Sequence, residues 1–246
     1  MTELVRAGER VDDLQYQDLR LIQQPSAFCF GMDAVLLASF ATLRPREKVA
    51  DMGTGTGILP VLLSAKEKTA TFHAFEIQPD MAEMASRSMA LNGLADRVTV
   101  YARDMAAAPD VLGREGMDAV VCNPPYGKKE STLQSENEGV RLARHEGDTD
   151  LEHVVAACAA VLRTRGKLFM VFPAPRMLEL MDALREKRLE PKRLRMVCAK
   201  ADKAPYLLLV EAIKNAKPQL LWLPPLIVYQ PDGTPTRELD EIYHRC

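Results

Sequence analysis

Apolar and polar positions along the chain follow two alternating rhythms. Short, nearly continuous apolar runs, Lys48–Asp51, Thr71–Glu76, Val98–Tyr101, Asp118–Cys122 and Leu168–Phe172, read as strands. The Asp118–Cys122 run is almost wholly apolar, as a strand buried on both faces should be. Between these runs the spacing turns helical, over Leu59–Lys66, Asp80–Asn92, Leu151–Leu162 and Pro175–Lys187. Gly93 is placed to stop the second of these helices. Ahead of the first strand, Gly31–Phe40 reads as a helix, with Asp33 as its candidate cap and Val35, Leu36, Leu37 and Phe40 facing inward. The segment from about Arg10 to Gln24 is polar and shows no clean period. Two further strands, Arg195–Ala199 and Tyr206–Ala212, lie so close together that one should run antiparallel. The tail continues through Leu226–Tyr229 and a turn at Pro231-Asp232-Gly233. Strands alternating with helices of this length predict right-handed βαβ units, hence an α/β fold on an open, mostly parallel sheet.

The 246 residues suit one large α/β domain, and 47% hydrophobic with 27% charged residues describes an ordinary soluble globular protein. No apolar stretch is long enough to span a bilayer. The opening Met1-Thr2-Glu3-Leu4-Val5-Arg6 is too charged for a signal peptide, so a cytoplasmic location is expected. Five cysteines, Cys29, Cys122, Cys158, Cys198 and Cys246, form no CxxC pair. Neither a disulfide framework nor a metal site is expected. A net charge of −2 does not announce nucleic acid. It does not exclude it either, since a local basic patch is what meets phosphate.

Candidate chemistry sits after the strands. Asp51-Met52-Gly53-Thr54-Gly55-Thr56-Gly57 joins the first strand to a helix. Glycines there permit a tight turn and close approach of a ligand, and the helix N-terminus favours anionic groups. Glu76 ends the next strand, where an acid in an open α/β sheet accepts hydrogen bonds from ribose hydroxyls. Such a turn alone is equally at home in a dinucleotide site or in no site. Asn123-Pro124-Pro125-Tyr126 follows the fourth strand directly. Two prolines stiffen that loop and remove two backbone donors. The Asn123 side-chain carbonyl and the Pro124 carbonyl are then free to accept from one NH₂ group, directing its lone pair at an electrophile, while the Tyr126 ring stacks on the flat group bearing the amine. The polar stretch Gly127–Asp150 is too long for a plain connection. It carries Lys128, Lys129, Arg141 and Arg144, candidate phosphate contacts or a solvated charged loop, and His145, more suited to a loop side chain than to a base. A second basic cluster, Lys187, Arg188, Lys192, Arg193 and Arg195, is interleaved with Glu186 and Glu190. Trp222 is expected to pack against the sheet.

The Asp51–Gly57 segment resembles the S-adenosylmethionine-binding loop of class I methyltransferases, and Asn123–Tyr126 resembles the [D/N]-P-P-[Y/F/W] motif of amino methyltransferases. With Phe28–Ala38, Arg141–Glu146 and Pro225–Tyr229, nearly the whole chain is similar to the bacterial tRNA1(Val) adenine-37 N6-methyltransferase family. The resemblance implies one domain, residues 1–246, with a cofactor-covering segment over 1–45 and a Rossmann-like core over 46–246. The sheet would be seven-stranded and mostly parallel, with helices on both faces. S-adenosylmethionine would be held by Asp51, Gly53, Thr54, Gly55 and Gly57 at its methionine end, by Glu76 at the ribose and by Asp104 at the adenine, close to Asn123. Asn123, Pro124, Pro125 and Tyr126 would hold an adenine of RNA for methylation at N6. Lys128, Lys129, Arg141 and Arg144 would meet the backbone of the RNA, expected to be a tRNA. Neither metal nor membrane is implied. The same motif serves methylation of a glutamine amide in peptide release factors, and a non-catalytic, cofactor-binding RNA partner is a third possibility.

Overall fold

The computed structural model describes residues 4–26, 29–124 and 151–245. Its first element corrects the reading of the polar N-terminal segment. Strands β1 (Arg10–Asp13) and β2 (Arg20–Gln23) form an antiparallel hairpin. Two four-residue strands carry too few apolar positions to show a period, yet Leu21 and Ile22 are fully buried. The hairpin is held by side chains of a helix distant in sequence, α3 (Pro79–Leu91). The Ile22 N–H donates to Ser88 Oγ (3.1 Å). The Arg20 N–H donates to Asn92 Oδ1 (2.9 Å), and Asn92 Nδ2 returns a bond to the Arg20 carbonyl (2.6 Å). Arg87 of α3 closes the clamp on Glu9 (2.6 Å), on Glu83 (2.9 Å) and on the Leu4 carbonyl (2.5 Å).

Helix α1 (Met32–Phe40) buries Val35, Leu36, Leu37 and Phe40 as expected. Its N-cap, however, is Gly31, and no side chain caps it. Asp33 is already the second helical residue, past the position from which a carboxylate caps. It stands instead in the first turn, where its charge suits the positive end of the helix. The remaining elements follow in βα order: β3 (Lys48–Met52), α2 (Ile58–Lys66), β4 (Thr71–Glu76), α3, β5 (Val98–Ala102), α4 (Ala108–Leu112), β6 (Met117–Cys122), α5 (Leu151–Val161), β7 (Leu162–Pro173), α6 (Met177–Glu186), β8 (Leu189–Cys198), β9 (Pro205–Lys214), β10 (Leu221–Trp222), β11 (Leu226–Ile227) and α7 (Arg237–Ile242). Gly93, at φ +66°, ends α3 as predicted.

The main sheet runs β10-β8-β9-β7-β6-β3-β4-β5, with β11 also on β8. Five strands, β5-β4-β3-β6-β7, are mutually parallel, and β9 is antiparallel to both its neighbours. The seven long strands are those expected. The two-residue β10 and β11 extend the β8 edge. Along each central strand alternate residues serve two cores. Val49, Ala119, Val121, Phe169 and Val171 face α1 and α2, whereas Ala50, Val120, Cys122, Leu168 and Met170 face α5 and α6. That double burial is why these strands read as continuous apolar runs.

The parallel strands give the molecule two unlike edges. At the amino edge Lys214 Nζ donates to the carbonyls of Ala159 (2.8 Å) and Leu162 (2.7 Å), and the Lys48 N–H donates to Asp118 (2.8 Å). The glycine turn, Glu76 and Asn123 all lie at the carboxyl edge. Trp222 does not pack as expected: it sits on the two-residue edge strand and stays 54% exposed. Cys122, Cys158 and Cys198 are buried, and the four described cysteines are free thiols. Among the described residues no helix is long and apolar enough to cross a membrane, and no three His, Cys, Asp or Glu side chains gather in a metal-binding group.

Candidate active site

Strand β3 ends in a turn whose backbone only glycines adopt without strain. Gly53, Gly55 and Gly57 have φ of +83°, +56° and +91°. Gly57 also serves close packing, since a Cβ there would stand 2.5 Å from Met89 Cε. The turn is anchored on β4. The N–H groups of Gly53 and Thr54 both donate to the Phe75 carbonyl (3.0 and 2.9 Å). The Gly55 N–H donates to Glu76 Oε2 (2.9 Å), and the Gln78 N–H donates to Glu76 Oε1 (3.0 Å). Glu76 therefore braces the loop and still has lone pairs to offer a hydroxyl.

Asp51 lies beneath this turn and is completely buried. Neither of its carboxylate oxygens has a hydrogen-bond partner, and the same holds for Thr54 Oγ1. Burial pushes the Asp51 carboxyl up to about 7, tempered by the nearby Thr54 hydroxyl and reinforced by the charge of Glu76. An unpartnered buried carboxylate is costly. Here it stands beneath the glycine turn, where an unpartnered acceptor fits a ligand bearing cationic groups.

The other expected residues fall along the same edge. Glu76 pairs with Ala102 in register, which sets Asp104 near it at the end of β5. Asp104 is exposed and caps the short 3-10 turn Met105–Ala107, accepting from the Ala106 N–H (2.8 Å). Two residues without a sequence signal join the site. Met105 reaches the glycine turn, its Cε lying 3.6 Å from where a Gly53 Cβ would be. Ile77, directly after Glu76, leaves an apolar side chain exposed, a surface for a flat ring. Only their adjacency to Asp104 and Glu76 could have suggested them.

Strand β6 neighbours β3, with Cys122 opposite Met52. Asn123 and Pro124 therefore begin one strand spacing, about 4.8 Å, from the start of the glycine turn. Asn123 is half-buried and Pro124 buried. Cys122 beneath them hydrogen-bonds the Met52 carbonyl (3.3 Å). Its thiol is raised by the Cys158 hydrogen bond and by burial, so it is a core thiol and no nucleophile. Pro125, Tyr126, Lys128, Lys129, Arg141, Arg144 and His145 lie outside the described residues. The second basic cluster is largely engaged: Lys187 with Glu186, Lys192 with the Lys217 carbonyl, Arg193 with Glu211 and Arg195 with Glu238.

Known proteins resemble this chain in sequence and fold. A tRNA1(Val) (adenine(37)-N6)-methyltransferase of Porphyromonas gingivalis is 28% identical over 206 residues, covering 81% of this chain and 80% of that protein. One of Parabacteroides distasonis is 29% identical over 209 residues, covering 83% and 86%. Among solved structures, a predicted O-methyltransferase, Atu636 of Agrobacterium tumefaciens, superposes with a TM-score of 0.71 at 23% identity, covering 87% of this chain and 96% of its own. The P. horikoshii TYW2 structure in complex with MeSAdo gives 0.59 at 16% identity, covering 86% and 73%. Both share the fold. The model of the methyltransferase small domain matches residues 18–190, and the chain belongs to that family.

Proposed function

We propose that this methyltransferase transfers a methyl group from S-adenosylmethionine to the exocyclic N6 of an adenine in RNA, adenine-37 in the anticodon loop of a valine tRNA. The observation that carries the reading is the juxtaposition of Asn123-Pro124 with the glycine turn on adjacent strands. One holds an amine, the other a methyl donor. Relatives named for this reaction match most of the chain and are matched over most of their own length.

The cofactor supplies a sulfonium-activated methyl group. Asp51 and Thr54 offer the unpartnered acceptors for its cationic end, Glu76 for the ribose hydroxyls and Asp104 for the adenine amine. Ile77 and Met105 provide apolar surface. Asn123 and Pro124 accept hydrogen bonds from the target NH₂, turning its lone pair toward the methyl group, and Tyr126 stacks on the target base. No ionised base is needed, because the nitrogen sheds its proton to solvent after transfer. An adenine in a folded loop must be splayed out to reach this edge, which favours unpaired positions. Lys128, Lys129, Arg141 and Arg144 are assigned to the RNA backbone. The cofactor cover is assigned to the 1–45 segment.

The test is incubation with labelled S-adenosylmethionine and, in parallel, total tRNA, total rRNA and a peptide release factor. Label is expected in tRNA, at N6 of adenine. Label in the release factor alone would establish the glutamine-amide reading instead. No transfer to any substrate, with cofactor bound, would leave a non-catalytic RNA partner.

A further inference from the structure

Three tyrosines far apart in sequence, Tyr206, Tyr229 and Tyr243, come near enough to Asp33 for their charges to interact. Tyr206 reaches this cluster through an irregularity in β9. Val197 pairs with Leu207 and Cys198 with Pro205, leaving Tyr206 as an extra residue between them. Such a bulge re-aims a side chain. By strict alternation Tyr206 would share the face of Leu208 and Val210, toward α5 and α6. Its hydroxyl instead lies 4.0 Å from Met32 Sδ, at the start of α1 on the opposite face. Burial pushes the Tyr206 phenol up to about 12, so it stays neutral. Nonetheless Tyr206 and Tyr229 remain 37% and 36% exposed.

Cations border this cluster. The turn from β8 to β9, residues 199–204, carries Lys200 and Lys203. Lys200 Nζ donates to the Pro231 carbonyl (2.9 Å), tying the turn to the loop that follows Tyr229. Lys203 is exposed, with Asp202 at 3.5 Å. Arg176, after β7, lies over the Phe172 ring (5.0 Å) and pairs with Glu179. Asn123 is two strands away from Tyr206 and about three residues lower in register, roughly 14 Å by sheet geometry. That separation suits a neighbouring nucleotide rather than the target base itself. Exposed aromatic rings flanked by lysines match unpaired RNA, whose bases stack on rings while cations meet the phosphates.

We propose that Tyr206 and Tyr229 form a stacking platform for an unpaired base near the target adenine, with Lys200 and Lys203 meeting the adjoining phosphates. This rests on the RNA reading given above. The test uses the full chain, S-adenosylmethionine and a tRNA anticodon stem-loop with 2-aminopurine beside the target adenine. Tyr206→Ala is expected to raise KM for the stem-loop tenfold or more, the scale of one lost base–aromatic stack, with kcat changed less than threefold. Tyr206→Phe keeps the ring and should stay within threefold of wild type in both. The 2-aminopurine quenching expected with wild type and the Phe variant should disappear with Ala, while cofactor affinity should be the same in all three. Changing Lys200 and Lys203 together to Ala should flatten the salt dependence of binding by about 1.4 log units per log unit of salt. Unchanged KM and quenching in Tyr206→Ala would overturn the platform. So would cofactor affinity falling in parallel with KM, which marks a packing role. A wild-type protein that modifies a release factor and no RNA would overturn the underlying reading before any variant is made.

Discussion

At the residue scale the site rests on two side chains with opposite needs. In the proposed reaction Asn123 would hold the reacting amine, so its contribution should be largest in the transition state. Asn123→Ala is expected to lower kcat at least 100-fold with cofactor affinity nearly intact, read by steady-state kinetics beside calorimetry. Asp51 is assigned to the methyl donor, and its unpartnered burial is costly to the folded chain. Its carboxyl is raised from 3.8 to about 7 by burial. The folded state thus holds this proton more tightly than the unfolded chain does. The stability linked to it is fully present below about pH 4 and is lost as pH rises through 7, to the extent of about 4 kcal/mol. Urea unfolding of the cofactor-free protein from pH 4 to 8 should therefore show a decline that Asp51→Asn removes. A cationic ligand prefers the ionised form, so wild-type cofactor affinity should weaken as pH falls below 7, and the Asn variant should bind weakly at every pH. A wild-type profile that is flat in both measurements would show that Asp51 is not the buried acceptor described.

At the element scale, legibility tracked where each segment finds its partners. The central strands were readable because burial on both faces leaves short, nearly continuous apolar runs bounded by turns. The glycine turn was readable because three positive-φ positions in five residues leave a mark in composition. The β1–β2 hairpin was not, because its stabilising partners, Arg87 and Ser88 of α3 and Asn92 at its C-cap, lie over 60 residues away. Trp222 misled for a related reason. Its apolar neighbours suggest a core, but it sits on a two-residue edge strand and stays exposed. The bulge at Tyr206 likewise has no local signature, being a property of pairing between β8 and β9. The hairpin clamp gives a further prediction. Arg87 and Glu9 are largely buried, and their hydrogen bond holds the Glu9 carboxyl below its ordinary value. The stability it adds is present above the usual carboxylate range and is lost as pH falls through that lowered value. Glu9→Gln is expected to cost about 2 kcal/mol at pH 7, the scale of a hydrogen bond between charged groups, and progressively less toward pH 3. Urea midpoints of the two proteins converging at low pH would agree with this. A constant difference would mean that the pair's charge contributes nothing.

At the scale of the whole molecule the question is how a protein of net charge −2 meets a polyanion. Composition offered two basic clusters and no means of choosing between them. The sheet separates them. Strand β8 is parallel to β7, so Lys187, Arg188 and Lys192 stand at or near its start, on the amino edge, with Asn215 bonded to the Arg188 carbonyl (2.8 Å). Asn123 and the glycine turn lie at the carboxyl edge, and ten residues of β8 span roughly 30 Å between the two. Lys187 and Lys192 are moreover paired with Glu186 and the Lys217 carbonyl. Lys128 and Lys129, by contrast, follow the Asn123–Tyr126 motif after a single glycine in the sequence. Each phosphate contact on a single strand contributes about 0.7 to the slope of log affinity against log salt. Neutralising Lys128 and Lys129 together should flatten that slope by about 1.4 and weaken tRNA binding, with cofactor affinity unchanged. Neutralising Lys187, Arg188 and Lys192 together should leave slope and KM as in wild type. Binding titrations over a range of salt decide between the clusters. A flattened slope in the amino-edge variant with a wild-type slope in the other would place the RNA across the far side of the sheet. The target base could then not enter at Asn123 without the RNA wrapping the whole domain.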